Sequence, residues 1–153
     1  MSKKPLVLSA LALVLATPAA AASDPVAAVK ADAAQLLSDS KSAHDGLIAD
    51  LQKLASDAQA AKGGSKDAAR ATIKADLVKL RADRQTLLAP VKADRAQLKS
   101  DLKAAREAKV GKGELKPVLQ QLRSTLKQQR AEIRAALRTA RQAVRELRAS
   151  FKS

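Results

Sequence analysis

Ten cations mark the C-terminal third of the chain: Lys116, Arg123, Lys127, Arg130, Arg134, Arg138, Arg141, Arg145, Arg148 and Lys152. At about 100° of rotation per residue in a helix they fall within an arc of about 80°. A row of this kind does electrostatic chemistry, because the guanidinium fork matches carboxylate and phosphate oxygens. Like charges spaced i,i+4 cost a few tenths of a kcal/mol each, so the row calls for a negative surface. The chain also holds candidates for that surface. Asp32, Asp39, Asp50 and Asp57 lie within about 20° of one helical line, and Asp76, Asp83, Asp94 and Asp101 form a second such line. Two readings follow: the basic row pairs with these aspartates at interhelical seams, or it faces an outside partner. The seam reading is the expectation for the fold, with the surplus arginine left exposed.

Catalytic chemistry has little to build on. His44, the one histidine, stands in Ser42-Ala43-His44-Asp45-Gly46 as a solvated side chain beside an aspartate. No cysteine and no second histidine is present to make a triad or a zinc site. Glycine-containing stretches at 63–66 and 111–113 lack the spacing of a phosphate loop and read as turns. The sequence therefore predicts no enzyme, no cofactor and no metal. Phe151 is the only aromatic residue, which argues against sugar sites and single-stranded nucleic-acid platforms that rely on stacking.

The elements that position the charges are helices. Asp24-Pro25 is a cap and first-turn pair, Gly63-Gly64 stops the pattern, and Ser65 can cap the next segment. Gly111 and Gly113 mark a second connection. These signals predict an all-α fold of three long antiparallel helices, an elongated bundle or hairpin-like coiled coil, over about 24–62, 66–109 and 114–150. Gly46 is a weak point in the first helix, and Pro90 predicts a kink in the second.

The first two helices are copies. Val29-Lys30-Ala31-Asp32 recurs 44 residues later as Ile73-Lys74-Ala75-Asp76, and the unit D-x-x-[QK]-L-x-[SA]-D begins at Asp32, Asp50, Asp76 and Asp94.

Lys3-Lys4, the apolar run 6–16 and Ala20-Ala21-Ala22 have the order of a secretory leader, so residues 1–22 are expected to be cleaved before Ser23. The mature domain is then 23–153, periplasmic or secreted. Charge rises along it: residues 23–62 carry 4 basic and 6 acidic groups, 63–109 carry 12 and 6, and 110–153 carry 11 and 3. Such a gradient points to anionic partners.

Gln129-Arg130-Ala131-Glu132-Ile133-Arg134-Ala135-Ala136-Leu137 resembles the helix that follows the L-T-x-x-Q signature of the Spy/CpxP family, with Thr125-Leu126-Lys127-Gln128-Gln129 in place of that signature. The resemblance implies a small exported helical stress chaperone, working as a cradle-shaped homodimer. The expected function is thus a non-enzymatic, chaperone- or adaptor-like protein that binds client proteins or an anionic envelope surface through the basic C-terminal helix. Alternatives are peripheral contact with anionic lipid or lipopolysaccharide, and a desiccation-type structural protein. A specific nucleic-acid partner is not expected.

Overall fold

The computed structural model describes residues 24–152; the leader expected at 1–22 and its cleavage site lie outside them. The fold is all-α: α1 (Pro25–Ala60), α2 (Lys66–Glu107) and α3 (Lys112–Ser150), with no strand among the described residues. Each start has a local cause. Asp24 accepts a hydrogen bond from Val26 N–H at 3.0 Å and Pro25 opens α1, while Ser65 Oγ accepts from Ala68 N–H at 3.2 Å to open α2. Gly63, at φ 88°, turns the chain back after α1. α2 ends without glycine. Lys109 takes φ 57°, and Val110 N–H reaches Ala105 carbonyl at 3.0 Å while Lys109 N–H reaches that of Arg106. That is a Schellman closure with lysine in the left-handed position. α2 continues as one helix through Pro90, and α3 begins at Lys112, two residues before the expected start, with Pro117 inside it.

Successive helices are antiparallel, so α1 and α3 run in the same direction. α1 is central. It packs along both α2 and α3, whereas those two do not pack along each other. The core divides into two clusters. Val29, Ala33, Leu36, Val91, Leu98 and Leu122 belong to one, and Leu51, Leu54, Ala58, Ile73, Ala140 and Leu147 belong to the other. Between them lies a polar belt, in which Ser40 Oγ donates to Gln129 Oε1 at 2.5 Å and His44 stands between helices. Leu36 and Val29 are the largest fully buried side chains, so alanine rather than bulk brings the helices close. Gly46 serves that approach: a Cβ there would meet Leu87 Cδ1 at 2.7 Å. The expected weak point is instead a notch for the neighbouring leucine.

The hairpin of α1 and α2 corrects the expected Asp–Arg seam. Duplicated helices packed antiparallel offer each other the same face, so each aspartate row meets its own copy. Asp32 faces Asp101, Asp39 faces Asp94, Asp50 faces Asp83 and Asp57 faces Asp76. Lysines of the same hairpin, not arginines of α3, neutralise two of the four pairs. Lys53 bridges Asp57 and Asp76, the latter at 3.1 Å, and Lys79 bridges Asp83 and Asp50, the latter at 2.6 Å. In the other two repeat units the lysine position holds Gln35 or Gln97, and Gln97 Nε2 donates to Asp101 Oδ1 at 3.2 Å. Asp32 and Asp94 each keep a buried Oδ2 without a hydrogen-bond partner. Burial pushes both carboxyls above the usual range, and the facing Asp101 and Asp39 push further in the same direction.

Candidate anion-binding face

All ten cations of the α3 row are exposed, and none of them makes an ion pair among the described residues. The structure thus turns the row outward. Two of the three acids of α3 point elsewhere, toward α1 and the turn that follows it. Glu146 Oε2 lies 2.8 Å from Lys62 Nζ, and Glu132 Oε2 lies 2.8 Å from His44 Nε2. The Lys62 ammonium and then Gln142 hold the Glu146 carboxyl below its ordinary range. His44, whose Nδ1 is also 2.9 Å from Asp45, has a side chain only 15% exposed. It is an interhelical strut rather than the solvated side chain expected. Removing these acids from the row leaves the cationic field along α3 uncompensated.

The apolar arc of α3 is engaged at the same time. Leu115 and Leu122 enter the first core cluster, and Ala140, Ala143 and Leu147 enter the second. Charge is therefore free for an outside partner along the whole helix, but the apolar face is largely covered by the rest of the fold.

One region combines both properties. Where α2 and α3 diverge, a groove of about 620 Å³ opens between them. Its floor is made by Ile73, Leu77 and Val78 of α2 with Val144, Leu147 and Phe151 of α3. Lys66, Arg70, Lys74 and Arg81 stand on the α2 side, and Arg148 and Lys152 bring the end of the α3 row to the other. A smaller pocket of about 320 Å³ lies over the polar belt, where Arg84 and Arg95 of α2 approach Arg130 of α3. A second basic row, on α2, thus faces the α3 row across a gap. The reading of the sequence missed this second wall. Its signal was present in Arg70, Lys74, Arg81, Arg84 and Arg95, which step by three, four, seven and eleven residues along one side of a helix.

Among the described residues, no group of three or more His, Asp or Glu is placed to hold a metal ion, and no helix is long and apolar enough to cross a membrane. Comparison with known proteins gives no match: no family model, no curated protein and no solved structure matches the chain.

Proposed function

We propose that this is a non-enzymatic, chaperone- or adaptor-like protein of the cell envelope that holds acidic client polypeptides on the cationic side of α3. One observation carries the reading: the ten-cation row is wholly exposed and without ion-pair partners among the described residues, while Glu132 and Glu146 of the same helix are turned onto α1 and the turn that follows it. From Lys116 to Lys152 the row runs roughly 54 Å at 1.5 Å per residue. Its field would gather acidic segments at a distance and hold them by charge, weakly and reversibly. Exported leader and family resemblance, both read from sequence, agree with that role.

Anionic lipid is the second reading, favoured by the length and continuity of the row. Interfacial insertion needs the apolar side of an amphipathic helix, and α3 has that side against α1. Contact with lipid would then be electrostatic alone and would vanish at moderate salt.

Charge reversal of Arg134, Arg138, Arg141 and Arg145 to Glu separates the outcomes. These residues lie outside both pockets, so helical content by circular dichroism should hold. Protection of an acidic, aggregation-prone client should weaken by about tenfold or more in the protein needed. Loss of liposome co-sedimentation with client protection intact would favour the lipid reading. Retention of both activities would remove the row from function.

A further inference from the structure

We propose that the groove between α2 and α3 docks an acidic amphipathic helix, which completes a four-helix bundle. The inference rests on the binding role proposed above and names the shape of the partner. Topology is the first argument. In a four-helix bundle each helix packs against two neighbours. α1 has both of its neighbours, whereas α2 and α3 each have one, α1 itself. The vacant position is the one that touches α2 and α3 together, and among the described residues the groove is lined by those two helices and the residues just after α3.

Charge supplies the second argument. Six cations border the groove, and among the described residues no acidic side chain lines it. Closing α2 onto α3 would bring those cations together, whereas an acidic helix laid between them would neutralise both walls. The chain already solves this problem once. α1, which lies between the same two basic helices, carries three basic and five acidic residues on an Ala/Leu-rich frame. A partner helix with acids flanking an Ala/Leu face would repeat that solution on the open side.

The floor is the third argument. Val78 is 57% exposed, the one large apolar residue left that open among the described residues, and it lies in the groove. From Lys66 to Arg81 the α2 wall extends about 22 Å, the length of a helix of about four turns. Ile73, Leu77 and Val78 would meet apolar positions of the partner at i, i+3, i+4 and i+7.

The test uses a labelled synthetic helix of about 18 residues, made of Glu and Leu with Leu at that spacing. A Lys-for-Glu version and a shuffled version of the same composition are the controls. Binding is read by anisotropy, and helix formation by circular dichroism. The acidic amphipathic peptide should bind and become helical, about tenfold or more tighter than the shuffled one. Val78→Asp, and separately Arg70→Glu with Lys74→Glu, should each weaken it by a similar factor. These residues are exposed, so the variants should melt as the parent does; if the double variant does not, Val78→Asp alone decides. Equal binding of the shuffled peptide would reduce the site to general attraction of polyanions and overturn the proposal. So would binding unaffected by both substitutions, or a dimer in sedimentation that Val78→Asp dissociates, since a second copy would then be the occupant. If the groove variants lose the peptide but keep client protection, the partner helix and the client use different surfaces. Loss of protection only in the Arg134–Arg145 reversal then leaves both proposals standing. Failure of the peptide to bind at all removes this inference without touching the α3 row.

Discussion

At the scale of single residues, the ladder of facing aspartates shows how one side chain changes a seam. Lys53 and Lys79 each hold two carboxylates from opposite helices, and Gln35 and Gln97 at the equivalent repeat positions bring no charge. The consequence is a pH dependence of definite sign. Asp32 and Asp94 titrate above the ordinary value of 3.8 in the folded chain and return to it on unfolding. Between those values the folded state holds more protons, so their contribution to stability grows as pH falls from neutrality through the raised pKa. Asp57, Asp83 and Glu146 act in the opposite sense, since Lys53, Lys79 and Lys62 hold them below their ordinary values. The stability they supply is present above those ordinary values and is lost as pH falls through the lowered ones. Replacing Asp32 and Asp94 together by Asn should therefore raise the melting temperature at neutral pH, with the advantage shrinking as pH approaches 3.8. A difference between variant and parent that does not change with pH would count against the upward shift of these two carboxyls. Gln35→Lys with Gln97→Lys should achieve a similar gain by another route, roughly 2–4 °C at neutral pH. A lower melting temperature in that variant would show that the two unbridged pairs do not repel.

For the helices themselves, local signals and partner choice separate cleanly. Lys109 gives a direct test of a local one. It occupies the left-handed position of the α2 closure, which glycine adopts at no steric cost. Lys109→Gly should raise stability by about 0.5–1 kcal/mol, measured by urea unfolding, although glycine usually lowers it. A loss of stability would mean that the lysine side chain contributes more than its backbone strain. The three helices and their ends were legible because Asp24-Pro25, Gly63-Gly64-Ser65 and Gly111 act through bonds a few residues long. The identity of the packed faces was harder. Angular position put four aspartates on one line of each helix, but it does not say which neighbour lies there. Antiparallel copies make a two-fold hairpin that matches each face to itself. That rule puts Asp opposite Asp, and applied to the 44-residue duplication it would have excluded the Arg seam. Gly46 was misread for a related reason. Its low helix propensity is local, whereas the Leu87 notch depends on the partner helix. Only part of the exposure of the α3 row was legible, from charge surplus, since three acids cannot offset the cations of that segment; the seam pairing expected for the rest does not form. The groove was not legible, because it depends on α2 and α3 failing to pack.

Across the whole molecule, the balance of charge decides how stability responds to salt. The formal net charge is +14, and the basic rows of α2 and α3 face each other across an open groove. Opposing that repulsion are ion pairs whose lysines are mostly exposed, such as Lys53, Lys79 and Lys62. Exposed pairs contribute little, typically ~0–1 kcal/mol, so the few of them lose little when salt screens them. Repulsion between rows acts over longer distances. Raising ionic strength from about 10 mM to about 150 mM shortens the screening length from roughly 30 Å to roughly 8 Å, which removes the long-range part first. The melting temperature should therefore rise with salt, opposite to the fall that an Asp–Arg seam would produce. A polyanion such as polyphosphate should raise it further at equal ionic strength, because it binds the folded rows and not merely screens them. The Arg134, Arg138, Arg141 and Arg145 reversal to Glu supplies the internal control. With four cations replaced by acids, both the salt response and the polyanion response should shrink, while helical content stays the same. A parent protein that melts lower in salt would show that contact ion pairs outweigh the rows. The Lys53, Lys79 and Lys62 pairs would then govern the salt response in place of repulsion between the rows.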